Sequence, residues 1–187
     1  MEYKISVIAI FYNSERYVRK CLDSILSQKK VSCEIICIDD CSSDSTPSIL
    51  NHYASKNKCM KVIKHETNKG ISEARNSGLK AVTGDCFFLI DGDDYLSSSD
   101  ALYSLAIHFS PDTDWVQGSY IKADERGQQV GNVSFEDATY ENYDDICKNF
   151  AAMNFIYTHN KLINSKHKIR LFETGCYHAV SYTHLTL

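Results

Sequence analysis

The chain has 187 residues, of which 43% are apolar and 24% are charged, a composition that supports a hydrophobic core and excludes disordered and low-complexity proteins. Its 20 Lys and Arg against 24 Asp and Glu give a net charge of −4, which argues against a general nucleic-acid-binding protein. The apolar runs are much shorter than the ~18 residues of a membrane span, and the first residues do not resemble a signal peptide. We therefore expect a soluble, cytoplasmic protein.

The first half of the sequence predicts strands that alternate with helices. Each predicted strand is rich in apolar and β-branched residues, as parallel strands buried on both faces are. The strands span residues 4–11, 33–39, 60–65 and 85–90. This alternation predicts an α/β fold, in which a mostly parallel sheet carries helices on both faces.

The helices between these strands have recognisable starts. Asn13 or Ser14 is available as the N-cap of the first helix, and Ser45 precedes a second helix that has Pro47 early in it. The third helix follows Gly70, and its apolar residues recur at helical spacing.

The second half predicts fewer regular elements. A helical pattern runs to Phe109 and ends before Pro111. Two strands are expected at residues 115–122 and 129–134, around a turn at 124–127, and a helix is expected near 143–153. Because no repeat or linker separates the halves, we expect residues 96–178 to complete the domain that residues 1–95 begin.

The eight cysteines include no C-x-x-C pair. Cys33, Cys37 and Cys41 are spaced by four across a predicted strand and loop. In a chain without a secretory context, free thiols that pack as small hydrophobic side chains are a better expectation than disulfides or metal ligands.

Polar residues follow each predicted strand of the first half. They lie at residues 12–13, 39–40, 68–70 and 91–94. Ligands of open α/β sheets bind outside the carboxyl ends of the strands. A single Asp at a strand end is an ordinary loop residue, but clustered acids repel one another unless a cation or ligand compensates. The pattern therefore predicts a binding site at this edge of the sheet.

The acidic run after the fourth strand is the sharpest part of this pattern. Asp91, Asp93 and Asp94 supply the hard oxygen ligands that Mg²⁺ takes together with substrate phosphates, although an Asp-Gly turn with solvated neighbours would look similar. Arg75 is a candidate donor to a diphosphate, or an ordinary surface arginine. Neither a P-loop nor a G-x-G-x-x-G motif is present, so P-loop and dinucleotide chemistry are not supported.

With these residues in place, the chain resembles glycosyltransferase family 2, the inverting enzymes with a GT-A fold that use nucleotide-sugar donors. The resemblance covers residues 4–96 in order and spacing, and residues 114–127 and 160–163 are further family-like features. Cys41 stands where the family usually has Gly. The motifs are SVIAIFYN at 6–13, SILSQ at 24–28, EIICIDDCSSDST at 34–46, NKGISEARN at 68–76 and DGD at 91–93.

The resemblance implies a donor-binding half at residues 1–95 and part of an acceptor-side half at 96–178. Asp40 would bond the edge of a uracil-type base, with Asp39 in support, and Arg75 would lie near the base and diphosphate. Asp91 would face the ribose and the metal. Asp93, with Asp94, would ligate Mg²⁺ or Mn²⁺. The other donor-binding residues that the motifs imply are Phe11, Tyr12, Asn13, Glu15, Asn68, Gly70 and Gly92.

The resemblance fails at the catalytic base. The family usually continues F-x-E-G-x-x-x-E-D, whose final Asp deprotonates the acceptor hydroxyl, whereas here residues 172–178 are followed by Ala179 and Val180. Neither Glu173 nor His178 matches that Asp, so the catalytic residue is unknown. Residues 179–187 have no family character, and we expect them to be a non-native tail.

These features favour an enzyme that transfers a sugar from a UDP-sugar to a glycan or lipid-linked acceptor in cell-surface polysaccharide synthesis. Peripheral contact with the inner face of the membrane would bring such a protein to a lipid-linked acceptor. A non-catalytic nucleotide-sugar-binding module is the alternative, because the expected base is missing. A metal-dependent nucleotidyltransferase fits the acidic residues but not the NKGISEARN motif, and its usual Gly-rich loop after the first strand is not visible.

Overall fold

A computed structural model describes residues 3–124, 126–134, 161–167 and 185–186 of the chain. Strands and helices alternate through the first half as predicted, and shorter strands follow. The elements are β1 (Lys4–Phe11), α1 (Val18–Leu26), β2 (Ser32–Asp39), α2 (Thr46–Lys56), β3 (Met60–Lys64), α3 (Ile71–Lys80), β4 (Cys86–Asp91), α4 (Ala101–Ala106), β5 (Trp115–Gln117), β6 (Tyr120–Ala123), β7 (Gln129–Val133), β8 (Lys161–Asn164), a 3₁₀ turn (Ser165–His167) and β9 (Leu185–Thr186).

The main sheet has six strands in the order β3-β2-β1-β4-β8-β5. β1 pairs in parallel with β2 and β4, and β2 pairs in parallel with β3, so the predicted mostly parallel sheet is confirmed. β8 runs antiparallel to both β4 and β5. A smaller sheet has the order β7-β6-β9.

The core lies on both faces of the main sheet. One hydrophobic cluster joins apolar residues of α1, α2 and α4 to one face, and a second joins residues of α3 to the other. Ile5 and Ile8 on β1 point into opposite clusters and are both fully buried. Helices on both faces are therefore confirmed, since the alternating side chains of buried parallel strands need cover on each side.

The predicted strand at residues 115–122 is wrong in one respect. It is two strands, β5 and β6, which belong to different sheets. Gly118 and Ser119 separate them, and a glycine inside a strand weakens it and permits a bend. The chain leaves the main sheet here, and β6 then pairs with β7 as the predicted turn requires.

The predicted helix caps are also corrected. α1 begins at Val18, and the backbone carbonyl of Ser14, rather than a side chain, accepts the N–H groups of Tyr17 and Val18 at 2.8 and 2.9 Å. At α2, Ser45 is the N-cap residue and Pro47 lies in the first turn, as predicted, but the Ser45 side chain makes no capping hydrogen bond; the Asp44 carboxylate accepts the N–H of Thr46 at 2.9 Å.

Other expectations have mixed outcomes. α4 ends at Ala106, short of the predicted Phe109. The six cysteines that lie in the described residues are free thiols, as expected. The predicted helix near 143–153 lies outside the described residues, as do Glu173, His178 and most of residues 179–187. No helix in the part of the chain that the structure describes combines the length and apolar character of a membrane span.

Candidate functional site

The carboxyl ends of β1, β2, β3 and β4 lie side by side at one edge of the main sheet, which we call the carboxyl edge. Asp39 ends β2 opposite Phe11 and Lys64, and Asp91 ends β4 opposite Ile10. The polar residues predicted at the strand ends therefore lie on adjacent strands. This edge is where a doubly wound sheet leaves a crevice for a ligand.

The loops after β1 and β2 are bonded to each other. The Asn13 N–H donates to Ser42 Oγ at 3.0 Å, and the Ser43 N–H donates to Asn13 Oδ1 at 2.9 Å. Glu15 Oε2 accepts the N–H of Ser45 at 3.0 Å. The side chains of Asn13 and Glu15, both predicted to bind the donor, thus hold these two loops together.

Phe11 and Tyr12, at the end of β1, differ in whether their rings are exposed at the site. The Phe11 ring is fully buried, so only its backbone lies at the site, whereas Tyr12 is 52% exposed. A Cβ on Gly92 would stand 2.5 Å from the Phe11 ring and 2.7 Å from the carbonyl oxygen of Ile10. Only glycine fits there, and it lets the chain after β4 pass closely over the end of β1.

Asp39 and Asp40 are both buried at the end of β2. Asp39 Oδ1 accepts the N–H of Ser42 at 3.0 Å, and its Oδ2 has no hydrogen-bond partner among the described residues. Asp40 Oδ1 accepts the Lys69 N–H at 2.9 Å, and Oδ2 accepts the Gly70 N–H at 2.8 Å. Asp40 therefore fixes the loop that leads into α3.

That loop includes two further predicted residues. Gly70 has a φ of +81°, in the region that favours glycine, and it directly precedes α3. Its N–H also lies 3.0 Å from Asn68 Oδ1. Asn68 and Gly70 thereby shape the entry to α3 around the Asp40 carboxylate.

Arg75 and Asp91 form the charged part of the site. Arg75 Nη2 lies 3.3 Å from Asp91 Oδ1 and 3.5 Å from Oδ2, which brings α3 and the end of β4 together. The side chains retain 14% and 27% exposure, so both reach the surface at the carboxyl edge. A guanidinium in this position can donate to phosphate oxygens as well as to a carboxylate.

The three acids after β4 are not equivalent. Asp93 is exposed, whereas Asp94 is buried and its N–H donates to the Asp91 carbonyl at 3.0 Å. Within the described residues, no three His, Cys, Asp or Glu side chains are arranged to hold a metal ion. Mg²⁺ commonly takes one or two carboxylates and completes its shell with waters and phosphates, so Asp91 and Asp93 fit such an ion without a complete protein cage.

The acidic run also affects a thiol of α1. Burial raises the pKa of Cys21 well above its usual range, and the nearby Cys37 and the Asp94, Asp93 and Asp91 carboxylates raise it further. A thiol with a raised pKa stays protonated and unreactive. Cys21 is therefore a packing residue beneath the site.

Cys41, which replaces the family's usual Gly, adopts a φ of +65° directly after Asp40. Its Sγ lies 3.4 Å from the carbonyl oxygen of Glu66, within the limits of a weak hydrogen bond that involves sulfur. A side chain in this left-handed region costs about 1–2 kcal/mol relative to the right-handed one.

Two residues that no motif indicated also lie near the carboxyl edge. His65 is 5% exposed, and its ring is hydrogen-bonded to Asp40. Lys161 begins β8, next to the residue paired with Phe88; burial lowers its pKa to about 8, and its ammonium lies 4.6 Å from the centre of the Trp115 ring. Neither a lone His nor a lone Lys is a sequence signal, because their roles depend on contacts far apart in the chain.

Comparisons with known proteins agree with this architecture. The model of the family "Glycosyl transferase family 2" matches residues 6–179. The uncharacterized glycosyltransferase EpsJ of Bacillus subtilis is 40% identical over 95 residues, which are 51% of this chain and 27% of EpsJ. The chain thus spans about a quarter of the length of this relative.

Solved structures share the fold. The structure of Staphylococcus aureus TarS, residues 1–349, aligns over 98% of this chain and 58% of the TarS chain, with a TM-score of 0.73 and 25% identity. TarS in complex with UDP aligns over 56% of this chain and 31% of its own, with 37% identity and a TM-score of 0.51. Mannosyltransferase PcManGT of Pyrobaculum calidifontis, in complex with GDP-Man and Mn²⁺, is 23% identical over 63% of this chain and 36% of its own, with a TM-score of 0.59. The GT-A fold is confirmed.

Proposed function

The chain belongs to glycosyltransferase family 2, and we propose that it binds a UDP-sugar at the carboxyl edge and transfers the sugar to a glycan or lipid-linked acceptor. The observation that carries this proposal is the convergence at the carboxyl edge of Asp40 and Asp91, which follow β2 and end β4, with Arg75 of α3. A nucleoside diphosphate presents a polar base edge and an anionic diphosphate, which these groups can recognise together.

The base and the diphosphate would meet different parts of the edge. Tyr12 offers an exposed ring against which a base can stack, and Asp40 offers a fixed carboxylate to a base N–H. Arg75 would donate to diphosphate oxygens from α3. These contacts would orient the donor so that its sugar projects over the end of β4.

A divalent cation, Mg²⁺ or Mn²⁺, would be held by Asp91 and Asp93, with Asp94 less accessible to it because Asp94 is buried. When bound, such an ion would supply charge neutralisation for the departing diphosphate. Arg75 lies beside Asp91 and can share that task. The solved complex of PcManGT with Mn²⁺ supports metal use in this fold.

The acceptor is proposed to be a surface polymer. TarS is named a poly(ribitol-phosphate) β-N-acetylglucosaminyltransferase, and it is 39% identical to this chain over 97 residues, which are 50% of this chain and 17% of TarS. A hydroxyl-rich polymer or a lipid-linked glycan has the nucleophile that the reaction needs. Transfer in a single displacement would invert the anomeric carbon, provided that a base removes the hydroxyl proton.

A second candidate is a nucleotide-sugar-binding module without transferase activity. It is favoured by Ala179 and Val180, which stand where family members have the acidic pair that includes the base. The same carboxyl edge would then serve recognition alone. Release of UDP from UDP-sugars, measured with and without a mixture of glycan acceptors, separates the two: acceptor-dependent release supports the transferase, and tight binding without release supports the module.

The donor site itself is tested by calorimetric titration of UDP into the 187-residue chain, with Mn²⁺ and with EDTA. We expect saturable binding that Mn²⁺ strengthens. Asp112→Ala is the matched control, because it removes an exposed carboxylate far from the carboxyl edge and is expected to leave binding unchanged. Absence of UDP binding in both conditions would contradict the proposal. A UDP affinity that is the same with Mn²⁺ and with EDTA would contradict the metal assignment to Asp91 and Asp93.

A further inference from the structure

His65 lies buried between the base-binding carboxylate and α3. It follows β3, and its backbone N–H donates to the Asp39 carbonyl at 2.9 Å. Its ring Nδ1 lies 2.7 Å from Asp40 Oδ1, and its Nε2 lies 2.9 Å from Ser77 Oγ. Both ring nitrogens therefore have partners, and the ring cannot rotate without losing them.

The partners indicate which nitrogen carries the proton. An ionised carboxylate only accepts hydrogen bonds, so Nδ1 must donate to Asp40. In a neutral ring Nε2 is then the acceptor, and the Ser77 hydroxyl donates to it. The Ser77 hydroxyl of α3 is therefore compatible with the tautomer that donates to Asp40.

Counting the bonds to Asp40 shows what remains for a ligand. Oδ1 accepts from His65 Nδ1 and from the Lys69 N–H, which uses both of its lone pairs. Oδ2 accepts from the Gly70 N–H, so among the described residues one acceptor position stays open. The Asp40 side chain is 4% exposed, and one acceptor position of its carboxylate is left for a further N–H donor.

One open acceptor distinguishes between nucleobases. Uracil presents a single N–H between two carbonyl oxygens. A carboxylate with one open acceptor position can accept this N–H through one oxygen, while the second carboxylate oxygen points away from the uracil carbonyls. Guanine presents two adjacent N–H donors, which match a carboxylate with both oxygens open. A saturated Oδ1 therefore favours uracil over guanine.

We propose that His65 is a positioning residue that sets the base preference of the donor site, because it occupies Asp40 Oδ1 and leaves only Oδ2 to the base. The inference rests on the proposed function, since it assumes that Asp40 faces the base of a nucleoside diphosphate. Through Ser77 the same ring ties Asp40 to α3, the helix that carries Arg75. The base end and the diphosphate end of the site are thereby joined through one buried side chain.

The test compares UDP and GDP affinities of the 187-residue chain and of three variants by calorimetry with Mn²⁺. His65→Leu removes both ring hydrogen bonds, His65→Asn keeps a donor at the position of Nδ1, and Ser77→Ala removes the other partner. We expect His65→Leu to weaken UDP binding by about tenfold to a hundredfold, because the Asp40 carboxylate loses the hydrogen bond that holds it in place for the base. GDP binding should fall less, so the preference for UDP should shrink by about tenfold, whereas His65→Asn should retain it within about threefold.

The outcomes separate this inference from the proposed function. If the unmodified chain binds UDP, and His65→Leu and His65→Asn lower the affinities for UDP and GDP equally, the role of His65 is overturned but the proposed donor site is not. A preference of the unmodified chain for GDP also overturns it. Failure of the unmodified chain to bind either nucleotide overturns both.

A second measurement does not depend on the folding of any variant. Nitrogen-15 chemical shifts of the His65 ring in the unmodified, UDP-bound chain report its protonation directly. A proton on Nδ1, with Nε2 bare, is the expected state. A proton on Nε2 with Nδ1 bare would leave Asp40 Oδ1 without its donor and would contradict the inference.

Discussion

The carboxylates at the two edges of the main sheet differ in the hydrogen bonds that they accept from the protein. Glu34 lies near the start of β2, at the edge where the parallel strands begin, which we call the amino edge. It accepts hydrogen bonds from Ser6 Oγ at 2.5 Å, from the Thr83 N–H and Oγ1 at 2.7 and 2.6 Å, and from Lys4 Nζ at 2.9 Å. At the carboxyl edge, Asp39 Oδ2 has no partner among the described residues, and Asp93 is exposed.

This difference separates a structural carboxylate from a functional one. Burial disfavours the charged form of Glu34, but its hydrogen bonds from Ser6, Thr83 and Lys4 outweigh that effect and lower its pKa to about 2. All of its acceptor capacity serves the joining of β1, β2 and the loop before β4. At the carboxyl edge, by contrast, Asp93 is exposed to a cation or a nucleotide, whereas Asp39 Oδ2, unpartnered among the described residues, is buried.

Removal of the structural carboxylate should have the largest effect on stability. Glu34→Ala leaves the Ser6 and Thr83 donors without their partner, and we expect the free energy of unfolding to fall by about 3 kcal/mol. UDP affinity should not change, because Glu34 lies at the amino edge. Urea unfolding and UDP calorimetry on the same variant check both parts. A stable Glu34→Ala, or one that is folded but no longer binds UDP, would erase the distinction between the edges.

The reverse substitution is expected at the carboxyl edge. Asp93→Ala should leave the free energy of unfolding within about 0.5 kcal/mol, as exposed substitutions do. It should also lower UDP affinity in Mn²⁺ by at least about tenfold, towards the value measured in EDTA. Asp112→Ala serves again as the control. Unaltered affinity of Asp93→Ala in Mn²⁺ would refute the metal assignment.

The pH dependence of stability should depend on the amino edge. The pKa of Glu34 is lowered from 4.5 to about 2, so its ionised form stabilises the fold at pH values above about 4.5. That contribution is lost as the pH falls from about 4.5 through 2, where the carboxylate becomes protonated in the folded state too. Thermal unfolding of the unmodified chain and of Glu34→Gln across this range should converge as the pH falls. A constant gap between the two would contradict the lowered pKa.

The smallest effect is expected at Cys41. Cys41→Gly places at a φ of +65° the residue that tolerates it best, and the relief of about 1–2 kcal/mol is partly offset by the greater chain entropy of Gly, about 0.5–1 kcal/mol. A net gain of about 0.5–1 kcal/mol in the free energy of unfolding should follow, with UDP binding retained. Thermal unfolding of the two proteins measures it. A less stable Cys41→Gly would show that the sulfur contact with Glu66 outweighs the strain.

Much of the fold was predictable because its determinants are local. The four parallel strands are continuous apolar runs, and the residues at their ends must converge once the strands lie side by side. Asp39, Asp40 and Asp91 could therefore be placed at one edge from the sequence. Their side-chain partners could not, since these come from distant segments.

What could not be predicted depends on long-range packing. The insertion of β8 between β4 and β5 pairs residues far apart in the chain, and no local pattern at 115–122 showed that the two halves of this segment join different sheets. His65 had no motif around it that signalled a role. Its importance comes from contacts with residues distant in the chain, which place Asp40 and Ser77 on opposite sides of one ring.

Hydrogen exchange with and without UDP and Mn²⁺, followed by mass spectrometry, tests the central claim most directly. Ligand-dependent protection is predicted in peptides that contain the ends of β1 and β2, the loop at 68–70 and the acidic run at 91–94. Peptides from the amino edge, around Lys4, Glu34 and Thr83, should exchange at the same rate in both conditions. Protection that appears at the amino edge instead, or at neither edge, would contradict a nucleotide site at the carboxyl edge.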